Sequence, residues 1–237
     1  MPGTFTIRST GKDTRRLEQR ARLGRGLVFF LALLCALVGP LAGGREARAF
    51  DVELRSPFAP CRADCTATLF AGQLVETSMW EIFLTKHQGP WDWRWGSSTF
   101  VGGAFSREVV RFDRFAAIET EVGVGKRFGS LHEGEGWGAL YFRWKWFPWD
   151  AYLRTTLGIS IGLNYATGVP VFEARRAGVE GQNLLHYLSP ELTFGLPSRP
   201  DLDLIFRFHH RSGGDLPFFN RAGGGAQYGT VGLRYRW

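Results

Sequence analysis

Leu204 to Asn220 reads LIFRFHHRSGGDLPFFN, and here two side chains able to perform hydrolysis together stand two residues apart. Leu204, Phe206 and Phe208 share one parity of an alternating segment, and His210 and Ser212 continue it. Residues i and i+2 of an extended chain project to the same side. The imidazole is therefore placed to take the hydroxyl proton with modest local adjustment, which is how a serine becomes a nucleophile. His209 has the opposite parity, and a one-residue bulge at the strand end would exchange the two histidines. Asp215 is the nearest acid that could orient the imidazole from the following Gly-rich loop. His186 is a further neighbour, because pairing segments 185 to 196 and 201 to 210 through the tight Pro197 to Pro200 turn sets it roughly opposite Ser212.

His210-Arg211-Ser212, at the end of an FRF strand, resembles the His-x-Ser-Asn motif of the PagL-type lipid A 3-O-deacylases. The resemblance covers the C-terminal stretch, roughly from Asp203 onward, together with overall size and strand count. It implies an outer-membrane barrel that hydrolyses an ester-linked acyl chain of lipid A without a cofactor. Ser212 is then the nucleophile, His210 the general base, and Asn220, ten positions after His210, an oxyanion donor with loop N–H groups. Two positions depart from the motif. Gly213 replaces the Asn expected after the Ser, and Gly224 replaces the Glu expected fourteen positions after the His. A backbone N–H of Gly213 or Gly214 can replace an oxyanion donor. Losing the acid is graver, since a base in the wrong tautomer costs on the order of 10⁴ in turnover. The alternative is a non-catalytic structural or lipopolysaccharide-binding barrel, in which His209, His210 and Arg211 contact lipopolysaccharide phosphates and Ser212-Gly213-Gly214 starts a loop.

These residues need strands to position them, and period-2 alternation runs through the chain. Leu153, Thr155, Leu157, Ile159, Ile161, Leu163 and Tyr165 oppose Arg154, Thr156, Gly158, Ser160, Gly162 and Asn164. Leu140, Phe142, Trp144 and Trp146 oppose Tyr141, Arg143 and Lys145, and Ile118, Thr120, Val122 and Val124 oppose Glu119, Glu121 and Arg127. The segments fall at 79–86, 98–107, 115–127, 137–147, 152–165, 185–196, 201–210 and 226–237, with no helical periodicity required. Eight is an even count, and short connections at 108–114, 148–151 and 197–200 alternate with long ones at 87–97, 166–184 and 211–225. An all-β, eight-stranded antiparallel transmembrane β-barrel of the outer membrane follows, spanning 79–237. Glu119, Glu121, Arg143, Lys145 and Arg154 are expected to pair in a narrow lumen. Trp91, Trp93, Trp95, Trp137, Trp146 and Trp149 are expected in aromatic girdles near the strand ends. The terminal Trp237 resembles the final aromatic by which the barrel assembly machinery reads outer-membrane proteins. A soluble lipocalin-like barrel or β-sandwich has the same alternation with the apolar face turned inward.

Ahead of the strands, Arg15, Arg16, Arg20, Arg22 and Arg25 precede an apolar run from Leu27 to Val38, then Gly39-Pro40 and Ala47-Arg48-Ala49. This is the layout of a signal peptide over residues 1–49, cleaved before Phe50. Read instead as a retained anchor, twelve residues span about 18 Å of a roughly 30 Å hydrocarbon core. The leader also accounts for the charge. It holds 9 of the 29 Lys and Arg but 3 of the 22 acids, so the net +7 falls to 20 minus 19, or +1, beyond it. That excludes electrostatically driven nucleic-acid binding. Residues 50–78 read as an N-terminal extension whose Cys61 and Cys65 suit a small disulfide loop better than a metal site, no His lying near in sequence.

Overall fold

The computed structural model describes residues 51–169, 182–213 and 225–237. The leader, and Gly214, Asp215, Asn220 and Gly224 of the loop after Ser212, lie outside the described residues. The strands, in chain order, are β1 (Val52–Leu54), β2 (Cys65–Val75), β3 (Trp95–Phe112), β4 (Ala116–Gly129), β5 (Gly134–Trp144), β6 (Arg154–Ala166), β7 (Leu184–Leu188), β8 (Glu191–Gly195), β9 (Leu202–Ser212) and β10 (Gly225–Arg236). Each of β2 to β6 pairs antiparallel with the next, β6 pairs with both β7 and β8, both pair with β9, β9 pairs with β10, and β10 returns to β2. Taking β7 and β8 as one interrupted strand, eight strands among the described residues form a closed antiparallel ring.

Alternation sorts the side chains. The outer wall carries Leu69, Val101, Phe105, Val122, Val124, Leu140, Leu157, Ile159, Ile161, Leu163, Leu204, Phe206, Val231 and Leu233, all well exposed. This is the wall pattern of an outer-membrane barrel.

The inward residues fill the lumen in two storeys. Toward the loop end, Phe70, Phe100, Trp137, Tyr141, Tyr187 and Tyr228 form an aromatic cluster. Below it lies an ionic lattice. Glu191 binds Arg143, Arg207 at 2.7 Å and Arg234 at 3.5 Å; Glu119 binds Arg143 at 2.9 Å and Arg234 at 2.8 Å; Glu121 binds Arg207 at 2.8 Å. Arg207 joins the storeys, its guanidinium lying 4.7 Å from the Phe70 ring centre. Of the residues expected to pair inside, Glu119, Glu121 and Arg143 belong to this lattice. Arg154 pairs with Asp203 near the turn end, and Lys145 reaches Glu108.

The first strand differs from expectation. Residues 79–86 are not a strand: Glu81–Thr85 forms a π-helix, followed by a 3₁₀ turn at Pro90–Asp92. Met79 and Ile82 stand three residues apart, and both join a buried cluster with Val75 and Phe208. That is helical spacing, so helical periodicity is needed here after all. The true first ring strand, CTATLFAGQLV, lies within the presumed extension. Its alternation is muted because Ala67, Ala71 and Gln73 share the outward parity with Leu69. The sixth segment is broken at Ser189-Pro190, where proline lacks the ladder N–H and its carbonyl accepts from Phe208 N at 2.9 Å. Trp137 is no girdle residue, since it is buried in the lumen cluster.

At the turn end, the last residue closes the ring. Trp237 N donates to Cys65 O at 3.1 Å, and Cys65 N donates to Trp237 O at 3.4 Å. Cys61 and Cys65 are disulfide-bonded. The short loop they bound holds Asp64, which accepts from Arg62 N at 2.6 Å and from Arg107 Nη2 at 3.0 Å. Burial pushes the Asp64 carboxyl up, but the Arg62 N–H and the Arg107 guanidinium outweigh it and hold the group below its ordinary value. β1 pairs with the end of β3 beside this loop.

Two measurements check this account. Glu191→Gln removes the charge facing three guanidinium groups and is expected to cost about 3–5 kcal/mol, read by urea unfolding of the micelle-folded protein. The Asp64 contribution is fully present above the ordinary carboxylate range and is lost as pH falls through its lowered pKa. Acid should therefore lower the amide protection factors of residues 61–65, taken against the intrinsic exchange rate at each pH, and Asp64→Asn should show the lowered protection already at neutral pH.

Candidate outer-wall site

The loop end of the outer wall breaks the apolar pattern in one sector. Across β7, β9, β10, β2 and β3 the outward positions there are His186, Ser212, His210, Gln227, Gln73 and Thr99. The register pairs His186 with Ser212, Gln227 with His210, and Gln73 with Thr99. No register shift interrupts the β9–β10 pairing, so parity assigns the histidines. His210 and Ser212 lie on the outer wall and are partly exposed. His209 faces the lumen, where its Nδ1 meets Tyr187 Oη at 3.1 Å and its Nε2 meets Glu135 Oε1 at 3.3 Å.

Hydrogen bonds tie part of this sector together. His210 Nδ1 and Gln227 Oε1 are 3.0 Å apart, and Gln227 Nε2 donates to Thr77 O. Thr99 Oγ1 donates to Gln73 Oε1 at 3.1 Å, and Gln73 Nε2 donates to Gly96 O. Two of the acceptors, Thr77 O and Gly96 O, belong to or flank the segment between β2 and β3. That segment lies outside the barrel, against the wall of β9 and β10.

Aromatic packing seats the segment. Phe208 points outward yet is 5 % exposed, because Phe83 and Trp93 pack edge-on against it with centroids at 5.4 and 5.5 Å. Gly229 makes room for this, since a Cβ there would lie 2.9 Å from Trp93 Cζ3 and 3.1 Å from Trp95 Cη2. The loop ends are tied as well: Glu76 N donates to Arg94 O at 2.8 Å, Arg94 N to Thr77 Oγ1 at 2.7 Å, and Trp93 Nε1 to Gln88 O at 3.0 Å. The far face carries Trp80, Leu84 and Trp91, the last 84 % exposed.

Sequence reasoning placed Phe208, His210, Ser212 and His186 on one face but missed Gln227 and Thr77. A buried Gln gives no signal in a linear sequence, because its role appears only through the register with His210. A separate opening of about 640 Å³ at the barrel mouth is lined by residues that include Glu76, His132, Glu133 and Thr167. No group of His, Cys, Asp and Glu among the described residues is arranged to hold a metal ion.

No protein-family model matches the sequence, and no curated protein matches it. Among solved structures, the fold is similar to the crystal structure of Neisserial surface protein A (NspA), at 12 % identity over 76 % of this chain and 100 % of that one, with a TM-score of 0.43.

Phe208→Ala and Gly229→Val should each unseat the segment while leaving the ring closed. Trypsin cleavage after Lys86 should speed up in both variants, with the heat-modifiable electrophoretic shift of the folded barrel retained.

Proposed function

We propose that the protein spans the outer membrane and hydrolyses an ester-linked acyl chain of lipid A at the outer-wall cluster. One observation carries the reading: His210, Ser212 and His186 lie together in a polar sector at the loop end of a wall that is apolar below it. Ionisable side chains placed toward lipid are expensive and are read by default as functional. Here they stand at the loop end, the level at which an acyl ester of an outer-leaflet lipid lies.

Ser212 Oγ attacks the ester carbonyl as its proton passes to His210 Nε2. The Cα atoms of residues i and i+2 are about 7 Å apart in a strand, so rotation of the Ser212 side chain brings Oγ to the ring. The tetrahedral intermediate collapses as His210 returns the proton to the departing sugar oxygen, leaving an acyl-serine. Water activated by the same imidazole then releases the fatty acid and restores Ser212. The Gly213 N–H and Asn220 are the proposed oxyanion donors. The exposed aromatic wall holds the barrel in lipid, and the terminal Trp237 is proposed as the signal read by the assembly machinery.

A non-catalytic barrel that binds lipopolysaccharide through the same cluster is the competing reading. The lattice-filled lumen argues against a pore in either case. Mass spectrometry of lipid A from cells producing the full chain should show the loss of one hydroxyacyl mass, absent in a Ser212→Ala control matched for folded protein. Unchanged lipid A in both, including lipid A of the native host, would leave the binding reading.

A further inference from the structure

We propose that Gln227 is the positioning residue that fixes the tautomer of His210, in the place where a carboxylate would be expected. The inference rests on the hydrolase reading for its use in catalysis, and on hydrogen-bond chemistry alone for the tautomer.

A backbone carbonyl can only accept, so the Gln227 group that meets Thr77 O must be the amide N–H. The other end of the amide is then the oxygen, and it faces His210 Nδ1 at 3.0 Å. An amide oxygen can only accept, which requires a proton on Nδ1. In neutral His210 the lone pair is consequently on Nε2, the form a general base needs. An acid in a serine triad achieves the same thing by accepting from the ring nitrogen turned away from the nucleophile.

Three features hold the amide in this orientation. Gln227 is the direct cross-strand partner of His210. Its side chain is 2 % exposed, which removes water as a competing partner. Thr77 itself is fixed, because its Oγ1 accepts from Arg94 N at 2.7 Å. The Phe208 ring stacks beside His210 at 6.4 Å with planes 21° apart, limiting the tilt of the imidazole. Gly224, where the family acid is expected, therefore need not mean a missing orienter; a neutral one stands three residues later and faces the histidine.

Two readouts test the assignment on the full mature chain folded in detergent micelles. In ¹⁵N spectra of histidine-labelled protein, with the His210 signals identified by His210→Asn, wild type should show a protonated Nδ1 and an unprotonated Nε2 at high pH. Gln227→Leu should abolish that preference, whereas Gln227→Glu should retain it. A wild-type Nε2–H tautomer, or an unchanged tautomer in Gln227→Leu, would overturn the proposal whether or not any lipid is hydrolysed. If lipid A is hydrolysed, Gln227→Leu should lower kcat on the order of 10²- to 10⁴-fold with little change in KM. Gln227→Glu should keep activity and move the acidic limb of the pH profile to higher pH, because a carboxylate stabilises the imidazolium. A merely structural Gln227 would leave the His210 tautomer the same in Gln227→Leu as in wild type. Absent hydrolysis with the Nδ1–H tautomer intact would sink the enzymatic reading and leave the positioning geometry standing.

Discussion

Glu191 lies among the guanidinium groups of Arg143, Arg207 and Arg234, supplied by three different strands, and the ring can close only if such charges meet inside it. An eight-stranded barrel has a lumen just wide enough for side chains to fill. A buried charge without a partner is among the costliest defects a fold can carry. Glu119 and Glu121 complete the compensation, each bound by an arginine from across the lumen. Because the charges are matched inside, the outer wall is free to be aliphatic and aromatic. The polar sector around His210 stands out against that wall.

The barrel was legible in the sequence wherever the two faces differ strongly. β4, β5 and β6 each place charged or small residues opposite large apolar ones, and their parities hold residue by residue in the structure. β2 was not legible, since its outward Ala67 and Ala71 and its inward Phe70 and Leu74 blur the contrast. Met79 to Lys86 drew the strand assignment instead. An apolar run of that length fits a strand or a helical turn equally well by periodicity. What decides it is Phe208, more than a hundred residues away, which offers Met79 and Ile82 a surface on the outside of the ring.

At the site, what alternation alone can determine was readable. His210 and Ser212 share the outer parity, and the short turn at Pro197 to Pro200 carries the register far enough to set His186 opposite Ser212. Assigning His209 to the lumen needed one more fact, the absence of a bulge at the end of β9. Gln227 needed the registration of β10 against β9, which the Gly-rich stretch between them does not encode. In sequence the groups that could orient His210 are Asp215 and His186, whereas the structure sets the Gln227 amide against the imidazole.

The outer segment and the polar sector depend on each other. Gln227 on a bare lipid-facing wall would leave an amide unsatisfied in hydrocarbon, at a cost of a few kcal/mol. The Thr77 carbonyl removes that cost, and Gly96 O does the same for Gln73. In turn the segment has few ways to stay on the wall except through Phe208, Trp93 and the glycine at 229 that lets two indoles approach. Residues 76–95 thus act as a fixed substitute for lipid over one part of the wall, allowing polar groups to persist there. Toward β7 the sector continues with His186 and Ser212, paired across the strands at outward positions. Under the proposed hydrolase reading an acyl ester has to reach Ser212 there, while the Gln227 amide stays buried beside His210.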